Sequence, residues 1–169
     1  MQTPIDNQTR IPAQQWRYGL RASAKTGCGR IAVYNALIAL GESPLPETII
    51  EALEHQLPLI HGTFGTNVLG PALLLKKWGY DVTLCSDLNK FDSLCRQSDV
   101  GILFYYWRKK FRVGAHFVAL KATPQGFRGY NTYTTSQGPD DYGESLADYL
   151  RRQRNFGCVL TCVRRRAER

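Results

Sequence analysis

The spacing of apolar residues changes from a helical to a strand-like period near residue 80, and this change constrains the fold more than any other sequence feature. Before it, apolar residues recur every three or four positions from residue 28 to 40, and Gly41 suits the left-handed turn that ends a helix. After it, apolar and polar residues alternate, as in strands. The predicted helices cover 28–40, 46–56, 66 or 67 to 78, 88–97 and 145–154, and the predicted strands cover 80–85, 100–107, 115–121, 127–134 and 156–163. This order predicts an α+β fold, with an N-terminal helical half packed on a C-terminal antiparallel sheet.

The length and composition fit one domain over residues 1–169, because 169 residues that are 43% hydrophobic can bury a sizeable core. Residues 1–27 are rich in Gln, Thr, Asn and Pro and lack a sustained period, so they are predicted to form an N-terminal arm. No apolar stretch reaches the ~18 residues of a membrane span, and the polar N-terminus lacks the apolar segment of a secretory signal. We therefore expect a cytoplasmic protein with no membrane span.

The formal net charge of +8 is concentrated at the C-terminus. Residues 151–169 hold seven arginines and one glutamate, a net +6, which leaves +2 for residues 1–150. The basic tail, residues 164–169, is predicted to be a solvated end or a contact for an acidic partner. The nearly neutral body has no basic stripe with interleaved aromatic residues, which disfavours nucleic acid as a partner.

The five cysteines include one in a position that would activate it. They are odd in number and lack the paired spacing of zinc sites, so we expect free thiols and neither a metal nor another cofactor. Cys28 falls in the first turn of a predicted helix with Thr26 as N-cap, where the helix dipole and unpaired N–H groups stabilise a thiolate. Gly27 and Gly29 beside it leave space for a substrate. The other four lie in apolar contexts and are predicted to be buried small hydrophobic residues: Cys85, Cys95, Cys158 and Cys162. The alternative for Cys28 is a packed cysteine at a helix start.

The candidate base for such a thiol is His116, at the start of the strand AHFVALK. Of the other histidines, His55 lies at a polar helix end and His61 in a loop with a neighbouring glycine, and both are predicted to be exposed. An imidazole on a strand can accept a proton from a cysteine and return it to a leaving group.

A predicted hairpin brings Asn131 near His116. A turn centred between residues 124 and 125 pairs His116 with Tyr133 and Val118 with Asn131, so His116 and Asn131 become diagonal neighbours on one face. An amide there would accept from one imidazole nitrogen and leave the other for the thiol. The alternative is that Asn131 only begins a turn, since a shift of one residue in register would place it on the opposite face.

The chain resembles the papain-like cysteine peptidase superfamily in three segments. They are GCGRIAVYNAL around Cys28, GTNVLGPALLLKKWGYDV, and AHFVAL followed fifteen residues after its histidine by Asn131. Within the superfamily the chain is most similar to the bacterial branch related to the bacteriocin-processing peptidases that cut after double-glycine leaders. The resemblance runs from about residue 27 to 133 and keeps the family's order of Cys, His, then Asn or Asp.

The resemblance implies a papain-like fold, with Cys28 as nucleophile, His116 as general base and acid, and Asn131 as the orienting residue. The family usually has a Gln shortly before the cysteine, whose amide helps to hold the oxyanion. Residues 21–27 contain neither Gln nor Asn, so the nearest candidates are Gln14 and Gln15, and these would serve only if the intervening loop folds back.

The function expected from this pattern is a cysteine peptidase or thiol hydrolase that cleaves a peptide or amide bond in a peptide or protein substrate. His116 would take the proton of Cys28, and the thiolate would attack the carbonyl to form an acyl-enzyme, which water would release. Two alternatives stay open. The same residues could pass the acyl group to an amine, as in a transglutaminase, or the scaffold could bind a leader peptide or protein partner without catalysis.

Overall fold

A six-stranded antiparallel sheet with helices on both faces forms the protein in a computed structural model, which describes residues 2–12, 17–18, 21–55, 66–109, 112–153 and 157–166. The helices are α1 (Ser23–Thr26), α2 (Cys28–Ala39), α3 (Pro46–Glu54), α4 (Gly70–Lys77), α5 (Phe91–Arg96) and α6 (Leu146–Arg152). The strands are β1 (Arg17–Tyr18), β2 (Arg21–Ala22), β3 (Asp81–Cys85), β4 (Val100–Lys109), β5 (Arg112–Thr123), β6 (Gly126–Tyr130), β7 (Asp140–Gly143) and β8 (Cys158–Arg164). The predicted α+β class is confirmed.

The large sheet has the strand order β3-β8-β4-β5-β6-β7, and β1 and β2 form a separate two-stranded ribbon. Side chains alternate between the faces of a strand, so each long strand contributes to two cores. On β4, Ile102 and Phe104 pack with α2, α3 and α4, whereas Leu103 and Tyr105 pack with α5 and α6. Hence the sheet lies between two helical layers. Within the described ranges, no helix is long and apolar enough to cross a membrane.

Helix α2 begins at Cys28, as predicted, and is buried from Gly29 to Leu37, where it packs on β4 and β5. The prediction of Thr26 as its N-cap is wrong. Thr26 is the last residue of α1, and Gly27 occupies the cap position without a side-chain hydrogen bond. A residue whose backbone belongs to the preceding helix cannot take the extended conformation that a capping threonine needs.

Two other predicted features of the N-terminal half differ from the structure. Helix α4 begins at Gly70 instead of residue 66 or 67, because Pro71 suits the first turn, and the Asn67 side chain accepts a hydrogen bond from the Leu69 N–H in the turn before it. The predicted arm contains a 3₁₀ turn at Gln8–Arg10, the β1–β2 ribbon and α1. Most of the predicted loop at 57–67, with His61, lies outside the described residues.

The β5–β6 hairpin has the predicted register, with Ala119 opposite Tyr130 and a turn at residues 124–125. Gly126 is required at its end, because its φ is +139° and a Cβ there would lie 2.3 Å from the carbonyl oxygen of Gly143. The ladder ends at Tyr130. The next residue, Asn131, has a φ of 65°, in the left-handed region that Asn tolerates better than most residues.

The basic tail begins at Arg164, the last residue of β8, and its described residues 164–166 are exposed. The backbone N–H of Arg165 donates to Asp99 at 2.8 Å, and its guanidinium lies 3.5 Å from a carboxylate oxygen of Glu42. Two acidic residues of the body, Asp99 and Glu42, therefore bind the start of the tail at Arg165.

Candidate active site

The Cys28 thiol and the His116 imidazole are neighbours, and each shifts the pKa of the other. Cys28 is the first residue of α2, and His116 lies on β5, so the packing of this helix on this strand brings them together. Both side chains are half-buried. Nε2 of His116 lies 2.5 Å from the backbone oxygen of Asn131, which leaves Nδ1 for the sulfur. The three residues predicted from the sequence therefore lie together.

The environment of Cys28 favours its thiolate. Burial raises the pKa of the thiol. The interactions with the His116 imidazole and with the N–H groups of Phe117 and Gly29 lower this pKa by a larger amount, so the net pKa lies below the ordinary value. Gly29 lies in the first turn of α2 and Phe117 on β5, so the two elements that position Cys28 and His116 also lower the pKa of the thiol.

His116 is shifted in the complementary direction. Burial lowers the pKa of its imidazole, but the hydrogen bond and charge of Cys28 and the carbonyl of Asn131 raise it more, so the net pKa lies above the ordinary value. A depressed thiol pKa beside a raised imidazole pKa favours a thiolate–imidazolium pair. Such a pair holds a nucleophile and, on the imidazolium, a proton for a leaving group.

Asn131 contacts His116 through its backbone and not, as the sequence predicts, through its side-chain amide. The amide faces the N-terminus instead, where Oδ1 accepts from the Gln8 N–H at 2.7 Å and Nδ2 donates to Gln8 Oε1 at 3.0 Å. Strand β6 ends at Tyr130, so Asn131 is free to adopt a left-handed φ of 65°. In this conformation its carbonyl oxygen, and not its side chain, faces the His116 ring. The carbonyl still fixes which imidazole nitrogen is protonated.

Residues 5–9, here called the N-terminal strap, connect the two halves of the site. The Ile5 N–H donates to Asn35 Oδ1 at 2.7 Å, and Asn35 Nδ2 donates to the Ile5 oxygen at 2.9 Å. Asn35 lies on α2, the helix that carries Cys28, while Gln8 holds Asn131. Nδ2 of Asn7 also donates to the Thr134 oxygen at 2.6 Å. The strap therefore bonds both the cysteine helix and the segment that orients the histidine.

Sequence reasoning missed the strap and its partners. One signal was available, because Asn35 interrupts the apolar segment IAVYNALIAL and is almost fully buried, at 1% exposure. A buried amide inside a helix needs hydrogen-bond partners outside that helix. No comparable signal marks Gln8 in its polar segment.

The oxyanion donors predicted at Gln14 and Gln15 lie outside the described residues. The backbone N–H of Cys28 is a candidate donor, because it precedes the first bond of the helix, from Ile31 N–H to the Gly27 oxygen at 3.0 Å. Gly29 packs against Thr66, whose Cβ would lie 2.4 Å from a Cβ at that position. Gly29 therefore allows Thr66 to pack closely on the start of the helix. From the sequence we expected Gly29 to leave space for a substrate.

A cavity of about 750 Å³ extends from His116 and Asn131 along the strap. Four aromatic residues line it: Tyr105, Trp107, Tyr133 and Tyr149. Tyr105 lies directly opposite His116 on β4, with the two ring centroids 6.1 Å apart in an edge-to-face arrangement. The imidazole therefore has a fixed aromatic neighbour on one side and a large open space on another.

The remaining cysteines differ from Cys28. Cys95 and Cys162 are buried, as predicted, while Cys85 and Cys158 are half-buried, and all five thiols are free. Burial raises the pKa of Cys95 to about 12 and also raises those of Cys158 and Cys162. His55 is exposed, as predicted. In the part of the chain that the structure describes, no three His, Cys, Asp or Glu side chains are grouped to hold a metal ion.

Comparisons with known proteins do not assign the chain to a family. No protein-family model matches it, and no curated protein gives a significant match. The arrangement of Cys28, His116 and Asn131 is therefore the basis for inferring what this protein does.

Proposed function

We propose that this chain is a papain-like cysteine hydrolase that cleaves a peptide or amide bond through an acyl-enzyme on Cys28. The observation that carries the proposal is the neighbouring Cys28–His116 pair, whose imidazole also contacts the Asn131 carbonyl through Nε2. The position of the thiol at the start of a buried helix supports it, as does the shift of both pKa values toward the ion pair. The resemblance of the sequence around these residues to papain-like peptidases agrees with the same assignment.

The reaction follows from the two charges. The thiolate of Cys28 attacks the substrate carbonyl carbon, and the oxyanion that forms accepts a hydrogen bond from the Cys28 N–H. The imidazolium of His116 gives its Nδ1 proton to the leaving amine, the C–N bond breaks, and a thioester remains. His116, now neutral, takes a proton from water, and the resulting hydroxide equivalent attacks the thioester. The acid product leaves and the thiolate–imidazolium pair is restored.

The first test is the rate at which iodoacetamide modifies Cys28, followed by mass spectrometry of the peptide that contains it. Each unit by which the pKa falls raises the thiolate fraction about tenfold at pH 7 and lowers intrinsic nucleophilicity about threefold, a net gain of about threefold. We expect His116→Ala to slow the modification, by about threefold for each unit that the thiol pKa rises, and to raise the pH of half-maximal rate. His55→Ala, which removes an exposed histidine, is the matched control and should behave as wild type.

A second measurement tests the covalent step. With p-nitrophenyl acetate, a small activated ester, we expect a burst of p-nitrophenolate and an acid-stable acetyl group on Cys28, both abolished by Cys28→Ala. Equal and ordinary thiol reactivity in wild type and His116→Ala would contradict the hydrolase proposal. That result, without an ester burst, would favour a scaffold that only binds a peptide or protein partner.

A further inference from the structure

We propose that the cavity beside His116 is a substrate cleft for acidic peptides, in which a carboxylate side chain accompanies large apolar ones. This inference rests on the proposed hydrolase function of Cys28 and His116, and it adds the chemical class of the substrate. It depends on the size of the cavity, on its aromatic wall and on the sign of the charges around it.

The cavity has room for several residues of an extended peptide. Its volume of about 750 Å³ lies within the ~300–1,000 Å³ of pockets that enclose a sizeable ligand. One wall is the N-terminal strap, with Asn7, Gln8 and Thr9, and another is the group of four aromatic residues. Peptide amides can bond to polar strap groups, while apolar side chains can stack on the tyrosine and tryptophan rings.

The charges that line the cavity are all positive. Lys25 and Arg108 line the cavity, and both residues are exposed. No aspartate or glutamate is among the lining residues that the structure describes. Of the segments outside the described residues, 13–16, 19–20, 56–65, 110–111 and 154–156 contain no acidic residue, and 167–169 contains Glu168. A ligand carboxylate therefore finds two cations and no opposing anion in this wall.

Two interacting acidic residues, Asp6 in the strap and Asp140 on β7, are not among the residues that line the cavity. Asp140 accepts a hydrogen bond from the Ser136 hydroxyl at 2.5 Å, so part of its charge is already compensated. Burial and the neighbouring Asp140 raise the pKa of Asp6, which weakens its negative charge at mildly acidic pH. The positive charge of the described lining therefore comes from Lys25 and Arg108, while Asp140 interacts with Tyr105 in the cavity wall.

The tyrosine hydroxyls add neutral donors to the same wall. The hydroxyls of Tyr133 and Tyr149 are hydrogen-bonded to each other, 2.5 Å apart. Burial raises the pKa values of Tyr105 and Tyr149, so these phenols stay protonated at neutral pH and contribute no negative charge. A carboxylate can therefore accept a hydrogen bond from a phenol as well as pair with Lys25 or Arg108.

The experiment measures peptide binding to Cys28→Ala, in which turnover is abolished, with Cys28→Ser as a second form. Three fluorescein-labelled octapeptides share the same Phe, Leu and Ala positions and differ only where two residues are Glu, Gln or Lys. From fluorescence anisotropy at low salt, we expect the Glu peptide to bind about tenfold more tightly than the Lys peptide, with the Gln peptide between them. The difference should shrink in about 0.5 M NaCl, because salt screens exposed charges.

Charge reversal supplies the matched comparison. Lys25→Glu combined with Arg108→Glu should invert the preference, so that the Lys peptide binds best. Lys76→Glu combined with Lys77→Glu makes the same change in net charge on exposed residues of α4, away from the cavity lining, and should keep the preference for Glu.

The possible results separate this inference from the proposed function. Equal binding of the three peptides, binding of none, or inversion by the α4 variant would overturn the acidic-peptide cleft. Preferred binding of the Glu peptide together with ordinary reactivity of Cys28 would support the cleft and contradict the hydrolase. Activated alkylation of Cys28 without a charge preference would support the hydrolase alone.

Discussion

Asn131 performs two tasks with two different parts of the residue. Its main-chain carbonyl holds Nε2 of His116, and its side-chain amide holds the N-terminal strap at Gln8. In the usual arrangement of a catalytic triad, a side chain orients the histidine. Here that role belongs to the backbone, so the identity of the side chain at this position matters for docking of the strap.

Replacing Asn131 with glycine separates the two tasks. Gly adopts the φ of 65° without strain and keeps the carbonyl, but it lacks the amide. We expect Asn131→Gly to lower the free energy of unfolding by roughly 1–3 kcal/mol through the loss of two hydrogen bonds. The pH of half-maximal Cys28 alkylation should stay at its wild-type value, as measured by iodoacetamide modification across pH.

Gln8→Ala is the control for that experiment, because it removes one of the same side-chain hydrogen bonds and leaves residue 131 intact. It should be destabilised by less than Asn131→Gly. A rise of the alkylation midpoint in Asn131→Gly toward that of His116→Ala would show instead that the amide orients the ring.

At the residue scale, the sequence predicted which residues meet and not how they bond. Cys28 could be found because a helix start activates a thiol, and the hairpin turn placed Asn131 near His116 by counting. The carbonyl contact depends on where β6 ends and on one left-handed dihedral angle, and the sequence left open whether Asn131 continues the strand or begins a turn. Gln8 bonds to a residue 123 positions away and Asn35 to one 30 positions away. Apolar periodicity relates residues a few positions apart, so it predicts neither contact.

Among the elements, the N-terminal strap works as a brace between α2 and the loop after β6. The buried Asn35 side chain satisfies both backbone groups of Ile5, so the strap is fixed to the same helix that presents Cys28. The strap is anchored at both ends by buried amides, those of Asn35 and Asn131. Its stability is therefore coupled to the geometry of the site.

Loss of the Asn35 amide should release the strap. Arg10 is already exposed, so tryptic cleavage there requires the backbone around it to open. We expect Asn35→Ala to speed removal of residues 1–10 roughly tenfold, since one or two lost hydrogen bonds cost about 1–2 kcal/mol and cleavage follows the open population. The released peptide is measured by mass spectrometry under native conditions. Asn89→Ala, which changes an exposed asparagine remote from the strap, should cleave at the wild-type rate, and equal rates in both variants would contradict the brace.

The predicted elements were most accurate where one physical signal dominated. Helix α2 has a strong apolar period and a glycine stop, and the β5–β6 hairpin has a turn that fixes its register, so both were placed within a few residues. The start of α4 was placed too early because the pattern continues through a segment that forms a turn around Asn67. The 3₁₀ turn and ribbon before α2 have no period to detect.

Across the whole molecule, the sheet is shared by two cores, and the site lies where α2 meets β5. One core is formed with α2, α3 and α4, and the other with α5 and α6, while both use the same strands. Strands β4, β5 and β8 contribute side chains to both cores. Loss of packing against one face of these strands therefore also weakens the support for the helices on the other face. Hence the two helical layers should unfold together, although they are separated by the sheet.

Two leucines on opposite faces allow a matched test of this cooperativity. Leu74 on α4 and Leu150 on α6 are both 0% exposed, and each belongs to a different core. We expect Leu74→Ala and Leu150→Ala each to lower the free energy of unfolding by roughly 2–5 kcal/mol, the usual cost of a buried leucine cavity. In urea titrations followed by circular dichroism and by tryptophan fluorescence, each variant should show one transition with coincident midpoints. A second transition, or midpoints that separate in one variant only, would mean that the layer carrying Cys28 and the layer behind the sheet unfold independently.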